Sequence, residues 1–224
     1  MTVPIRTVSY PAPDFDRKEI LRYAGGGHES PETCNLLEEC ISELEGKIAY
    51  RVCYRTFEVC KKGELLDLGF ASVDSQALKK NLSGCYKIVL FAATVGLEID
   101  RLIARYGRVS PAKALMFQAI GAERIESLCD VFNAEIKACA KESGYGTRPR
   151  FSPGYGDLPI QLQRDIFNVL DCPRKIGLSL NDSFLMSPSK SVTALIGIGK
   201  CVEENESAGK CRKCENINCL FRSE

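Results

Sequence analysis

The sequence of 224 residues has no tryptophan, one histidine and three methionines. A single histidine excludes metal sites built from several imidazoles. It also excludes Ser–His or Cys–His catalysis unless His28, which follows Gly25-Gly26-Gly27, is the base. The net charge is only +1, so bulk charge gives no reason to expect nucleic acid or an anionic membrane as a partner. No apolar run approaches the length that spans a bilayer, and residues 1–14 lack the apolar core of a secretion signal. We therefore expect a cytoplasmic protein.

Cysteine, in contrast, is abundant, with twelve residues. Disulfides are rare in a reducing cytosol, so we expect free thiols. Several cysteines lie in amphipathic or apolar segments and are predicted to be small buried hydrophobes, namely Cys34, Cys40, Cys53, Cys60, Cys85, Cys129 and Cys139. Cys172 precedes Pro173 and is predicted to lie in a turn. The other four fall in the last 24 residues.

Apolar residues make up 45% of the chain, which is enough for a sizeable core. The periodicity of the apolar residues predicts helices at 14–23, 31–45, 75–82, 97–106, 110–142 and 159–170. It predicts strands at 47–61, 65–68, 85–93, 176–178 and 191–198, with a hairpin turn at 61–64. Residues 85–93 are continuously apolar and should be central in a sheet. Because strands and helices do not alternate regularly, the pattern favours an α+β fold over a doubly wound sheet.

The segment Arg150-Phe151-Ser152-Pro153-Gly154-Tyr155-Gly156-Asp157 combines a cation, an aromatic ring and a Pro-Gly turn. Proline fixes φ and glycine accepts positive φ, so the chain turns sharply and can bring Arg150 and Tyr155 to one side of a loop. An arginine binds a carboxylate through two parallel hydrogen bonds, and a tyrosine can lie beside a cation. S-adenosylmethionine (SAM) carries both groups. On this chemistry alone, a structural turn with a surface arginine is the favoured interpretation, since such turns are common.

A second motif follows about thirty residues later, where Ser183-Phe184-x-Met186-x-Pro188 leads to Ser191-Val192. The two motifs in this order resemble the reactivation domain of cobalamin-dependent methionine synthase, most specifically between residues 148 and 198. The resemblance implies a single α+β domain, here residues 1–200, with a mixed or antiparallel sheet and flanking helices. It also indicates a free-standing version, without homocysteine, folate and cobalamin modules. The residues of the second motif are interpreted as architecture.

Site residues follow from the same resemblance. It implies that Arg150 holds the SAM carboxylate and that the backbone around Phe151 and Gly154 contacts the ligand. Tyr155 should lie against SAM, next to the face where cobalamin docks, and it takes the catalytic position. An acid from the long helix should approach the SAM amino group. Glu126 is the choice over Glu123, although a solvated helix face explains these acids equally well. Phe-Ser stands where better-known members have Pro-Ala, Asp157 is treated as a bystander, and the acid that the family contributes from its N-terminal region is not placed.

The segment 201–224 forms a separate cysteine-rich tail. Cys211 and Cys214 are separated by two residues, Cys219 follows, and Cys201 is a candidate fourth ligand. This spacing fits tetrahedral thiolate ligation of zinc or of an iron–sulfur cluster, and a polar tail with incidental cysteines is the other interpretation.

Three functions remain open at this point. The first is a SAM-binding reactivation subunit that supports reductive methylation of cob(II)alamin on a methionine synthase lacking its own reactivation domain. A flavodoxin-like or ferredoxin-like protein would then donate the electron. The second is a metal- or cluster-binding redox protein, and the third is a SAM-sensing interaction module without methyl transfer.

Overall fold

The computed structural model of the chain describes residues 3–25 and 30–200. The described strands are β1 Arg6–Ser9, β2 Arg51–Glu58, β3 Cys60–Lys62, β4 Leu65–Asp67, β5 Ser72–Val73, β6 Cys85–Thr94, β7 Gly146–Thr147, β8 Ser179–Leu180, β9 Met186–Ser187 and β10 Ser191–Gly199. The described helices are α1 Arg17–Tyr23, α2 Pro31–Leu44, α3 Gln76–Asn81, α4 Glu98–Tyr106, α5 Pro111–Glu142, α6 Leu162–Leu170 and α7 Cys172–Ile176. None of the helices in these two ranges is both long and apolar enough to cross a membrane.

The main sheet has five strands in the order β1-β2-β6-β10-β7, and all four neighbouring pairs are antiparallel. Strand β6 lies at its centre, as its continuous apolar run predicts. Helices cover both faces of the sheet, so successive residues of β6 enter opposite cores and both sets are apolar. Val89 and Phe91 belong to one core, while Ile88 and Leu90 belong to the other. The predicted α+β class with a sheet and flanking helices is confirmed.

The first core contains apolar residues of α1, α2, α4 and α5, and the second contains those of α3, α6 and α7 together with the small strands β4 and β5. Helix α5 is the main helix of the first core. Ser110 caps its N-terminus by accepting from the Lys113 N–H, and Pro111 occupies its first turn. The predicted bounds of this helix and of α2 are confirmed within a residue. The predicted hairpin is also confirmed, since Lys62 pairs with Leu65 across β3 and β4.

The predicted helix at 14–23 begins later, at Arg17. The Asp16 side chain accepts from the Glu19 N–H at 3.0 Å and caps α1. The carbonyls of Pro13 and Asp14 accept from Arg124 at 2.6 Å, which holds this segment outside the helix. The helix predicted at 159–170 is likewise shorter and begins at Leu162.

The predicted strand at 176–178 is wrong. Cys172 to Ile176 form a short helix with Pro173 in its first turn, and Gly177, at φ 71°, ends it. Cys172 therefore lies in this helix and is buried, and not in the predicted turn. Only five residues separate the two left-handed positions, Asp171 and Gly177, so the helix is too short to be recognised from the sequence.

The prediction of buried cysteines is confirmed for Cys40, Cys53 and Cys129, and it is wrong for Cys60 and Cys139. Cys34 and Cys85 are partly exposed. Toward the end of α5 the buried residues are Phe132, Ile136 and Ala140, a single stripe spaced by four that Cys139 does not share. Cys60 lies in β3, outside the main sheet.

Candidate functional site

The Arg150 segment runs antiparallel along the edge of the main sheet. Strand β7 pairs with the end of β10, and Phe151 and Leu195 exchange N–H to carbonyl bonds of 2.9 Å in both directions. Successive side chains of an extended segment point to opposite faces. Phe151 packs with the second core, so Arg150 is turned toward α5. Because the Phe151 N–H already donates to Leu195, this residue has no backbone N–H to spare for a ligand.

The turn after this segment depends on glycine. Gly154 has φ 90°, a conformation that other residues rarely adopt, and its N–H donates to the Leu158 carbonyl at 2.9 Å. The Tyr155 N–H donates back to the Ser152 carbonyl at 3.2 Å. The turn leaves the side chain of Tyr155 70% exposed at its tip, while Pro153 and Leu158 on either side are buried.

Asp157, which sequence reasoning treated as a bystander, anchors this turn to the rest of the molecule. Its carboxylate accepts from the Ser75 hydroxyl and from the N–H groups of Gln76, at 2.7 Å, and Ala77, at 3.2 Å. These groups form the start of α3, where unpaired N–H donors favour a negative charge. The Ser75 hydrogen bond is the main cause that lowers the pKa of Asp157. A separation of 82 residues left no signal for this contact in the sequence.

Arg150 is held by two acids of α5. Its Nη1 donates to Asp130 Oδ1 at 2.6 Å, and its Nη2 donates to Glu126 Oε2. The side chains of Arg150, Glu126 and Asp130 are 25%, 43% and 71% exposed, so the group is open to solvent from the side of the acids. Burial alone would lower the pKa of Arg150, but the hydrogen bond to Asp130 and the nearby negative charges raise it. We call these three residues the Arg150 cluster.

The structure thus brings together Arg150 and Glu126, two residues that the sequence assigned to one site. It adds Asp130, which sequence reasoning missed. The signal was present, since residues four apart on a helix share a face and Asp130 follows Glu126 by four. Once Glu126 is assigned, Asp130 is the next acid on that face.

Helix α1 ends near the cluster. Burial raises the pKa of Tyr23, and the charges of Glu19 and Glu126 raise it further, which puts the phenol near Glu126. The Arg22 guanidinium lies over the Tyr23 ring at 4.6 Å and also binds Glu19. Glu19 is therefore already paired with a cation.

Glu123, the rejected alternative to Glu126, has a different role. It is 2% exposed and is bound by the completely buried Arg124 at 2.5 Å, by the Ser127 hydroxyl at 2.6 Å and by the Asp16 N–H at 3.3 Å. Arg124 also lies 4.0 Å from the centre of the Phe15 ring. With every oxygen engaged inside the protein, Glu123 holds the N-terminal segment on α5.

The second motif forms the approach to β10. Met186 lies in β9, opposite Leu180 of β8. The Ser191 hydroxyl donates to Thr94 at 2.8 Å, and the Ser189 N–H donates to Asp100 at 2.7 Å. These contacts tie the segment to β6 and α4, which agrees with the architectural role assigned to it.

The predicted metal ligands Cys201, Cys211, Cys214 and Cys219 lie outside the described residues, as does His28. Within residues 3–25 and 30–200, no group of three or more His, Cys, Asp or Glu side chains is arranged to hold a metal ion. The metal site in the tail therefore stays a prediction, as does the boundary at residue 200.

The fold and the cluster together define a class of protein: an antiparallel sheet with helices on both faces, which presents an arginine paired with two acids beside one sheet edge. A family model described as "Vitamin B12 dependent methionine synthase, activation domain" matches residues 78–205, more than half of the chain. The chain therefore belongs to the family of activation domains of vitamin B12-dependent methionine synthase, as its two motifs indicated.

A solved structure agrees with this assignment at the level of the fold. The crystal structure of the MetH reactivation domain bound to AdoHcy superposes with a TM-score of 0.64 at 17% sequence identity. The match covers 88% of this chain and 78% of that one. At this identity the match shows that the two proteins share the fold.

Proposed function

We propose that the chain binds SAM at the Arg150 cluster and supports reductive methylation of cob(II)alamin on a cobalamin-dependent methionine synthase that lacks a reactivation domain of its own. The observation that carries the proposal is the placement of Arg150 against Glu126 and Asp130. The exposed Tyr155 follows Arg150 in the same motif. Family membership supports the same function.

The donors and acceptors of the cluster fit the amino-acid end of SAM. A guanidinium has five N–H donors, and the two hydrogen bonds to the acids use two of them. The remaining donors suit a carboxylate, for which arginine is the preferred partner. Glu126 offers its carboxylate to the ligand ammonium at the same place. Both the N–H and the carbonyl of Phe151 are bonded to Leu195, so the predicted backbone contact at Phe151 would use the second lone pair of its carbonyl oxygen.

In this proposal the chain contributes position and electrostatics. SAM supplies the methyl group, a flavodoxin-like or ferredoxin-like protein supplies one electron, and the cobalt of the partner accepts both. Arg150 and Glu126 fix the orientation of the methyl donor, so the methyl group meets the cobalt without a random search. Tyr155 stands exposed at the turn and would form the surface between the ligand and the docked cobalamin module.

The test is a SAM titration by calorimetry, followed by a reactivation assay with a methionine synthase truncated before its reactivation domain. We expect SAM binding, and we expect loss of the cob(II)alamin electron paramagnetic resonance signal only when chain, SAM and a one-electron donor are all present. Absence of SAM binding would refute the proposal. SAM binding without methylation of the partner would favour a sensing module.

Metal analysis of the full chain decides the alternative redox function. Elemental analysis of anaerobically prepared protein supplied with zinc and iron should find metal if Cys201, Cys211, Cys214 and Cys219 form a thiolate site. Removal of residues from 201 onward should then abolish the metal and leave SAM binding intact. Metal without SAM binding would favour the redox protein, and a metal-free full chain would refute the tail site.

A further inference from the structure

The edge segment that carries Arg150 contains one residue more than the strand beside it. Thr147 pairs with Ile198, and Phe151 pairs with Leu195, so four steps along the segment match three steps along β10. An extra residue in one strand of an antiparallel pair is a β-bulge, which bends the strand and can redirect a side chain.

The extra residue lies just before Arg150 or at it. The Arg148 N–H donates to the Gly197 carbonyl at 2.8 Å, so the register of β7 still holds at Arg148. The next residue is Pro149, which has no N–H to donate to a neighbouring strand. Proline within a sheet is confined to edges and bulges for this reason, and Pro149 occupies both kinds of position.

The bulge decides which face of the sheet carries Arg150. Residues that lie directly opposite each other in an antiparallel pair share a face, and Leu195 faces the second core. In the register of β7, Arg150 would lie opposite Leu195 and its guanidinium would face apolar side chains. With the extra residue, Phe151 takes that place, and Arg150 faces Glu126 and Asp130 of α5.

The bulge is bound to the C-terminal end of α3. Asn81, the last residue of this helix, donates from Nδ2 to the Pro149 carbonyl at 3.2 Å. In the turn that follows, the Ser83 carbonyl accepts from Arg148 Nη2 at 2.9 Å. The start of the same helix is bound by Asp157. Helix α3 therefore contacts the edge segment at both of its ends.

We propose that Asn81 is a positioning residue for the ligand, because it holds the bulge that turns Arg150 toward α5. The inference rests on the proposed function, since it assumes that Arg150 binds the SAM carboxylate. Asn81 acts through the Pro149 carbonyl and does not contact the ligand. The Arg148 bond ends on a main-chain carbonyl, so on the α3 side Asn81 is the residue whose substitution tests this support.

The experiment measures the dissociation constant of SAM by calorimetry for the wild type, Asn81→Leu and Asn81→Asp. Leucine has a similar size and no donor, and aspartate keeps the shape but its ionised carboxylate cannot donate. We expect each variant to bind SAM about 2- to 10-fold more weakly, which is the change expected for one lost hydrogen bond. Asn168→Leu changes an exposed asparagine of α6 in the same way and should leave the affinity unchanged.

A double-mutant cycle separates positioning from a general structural role. If Asn81 only stabilised the fold, Asn81→Leu would weaken SAM binding whether or not Arg150 is present. We expect Asn81→Leu with Arg150→Ala to bind SAM as weakly as Arg150→Ala alone, because the residue that Asn81 positions is already absent. Additive losses would overturn the inference and leave the proposed function standing.

Unchanged SAM affinity in both Asn81 variants would also overturn the inference without affecting the proposed function. If the wild type does not bind SAM, both the inference and the proposed function fail. A thermal melt of each variant establishes that the folded protein is being compared.

Discussion

Two groups of arginine and carboxylate side chains lie about one turn apart along helix α5. They differ in burial and in the groups that they bind. Glu123 and Arg124 are almost completely buried, and every partner of theirs is part of the protein. Glu126 and Asp130 reach solvent and share Arg150, which comes from the segment at the edge of the main sheet. The same residue types thus fasten the N-terminal segment in one place and present a charged surface in the other. Burial, and not residue type, separates the structural group from the candidate site.

The largest effect is expected from breaking the buried group. Arg124→Met leaves Glu123 as an unpaired charge in the core, which should lower the free energy of unfolding by about 3–5 kcal/mol. Urea denaturation measures this loss. The matched control is the double variant Glu123→Leu with Arg124→Met, which leaves no buried charge and should recover part of the stability. A single variant as stable as the wild type would show that the buried group does not support the fold.

The exposed group should respond in the opposite way. Arg150→Ala should weaken SAM binding by roughly 1.5–3 kcal/mol, because it removes a charge-assisted contact to the ligand carboxylate. The free energy of unfolding should change much less than in Arg124→Met. Calorimetry and urea denaturation of the same sample separate the two effects. Arg174→Ala, an exposed arginine of α7 on the other face of the sheet, should leave SAM affinity unchanged. Unchanged affinity in Arg150→Ala would remove Arg150 from the site.

Tyr155 extends the comparison between buried and exposed groups. Its ring is exposed, so it contributes little to the fold and is available to a ligand. Tyr155→Ala should weaken SAM binding by about 0.5–1.5 kcal/mol, and Tyr155→Phe should cost less because the ring supplies most of the contact. Titration of both variants measures the order. Equal SAM affinity in the wild type and in Tyr155→Ala would contradict a ligand-facing ring.

Asp157 should show the smallest effect, and one that depends on pH. Its pKa is lower in the folded protein than in the unfolded chain, so its contribution to stability is present above about pH 4 and is lost as the pH falls through the folded value. The difference in melting temperature between wild type and Asp157→Ala should therefore shrink from pH 7 to pH 3. Asp165→Ala serves as the matched control. A difference that is constant with pH would show that the charge of Asp157 does not hold α3.

Much of the fold could be predicted because its signals are local. Ser110 and Pro111 indicate the start of α5. The apolar run of β6 indicates a strand that is buried on both faces. The family could be predicted from two short motifs in the right order. Failures occurred where a local pattern was ambiguous. Residues 172–176 are too few to show a helical period, and Cys139 lies on an amphipathic helix that buries only one residue in four near its end.

The candidate site could be predicted only in part. The sequence by itself determined the helices, the central strand, the Pro-Gly turn and the choice of Arg150 and Glu126, since each depends on neighbouring residues or on a known motif. Only the tertiary structure decided that Asp130 joins Arg150, that Asp157 caps α3 from 82 residues away, and that Glu123 is buried while Glu126 is exposed. The physical reason is that charge pairing and burial depend on which surfaces meet. The packing of the whole sheet and its helices fixes these surface contacts, and no short stretch of sequence specifies them.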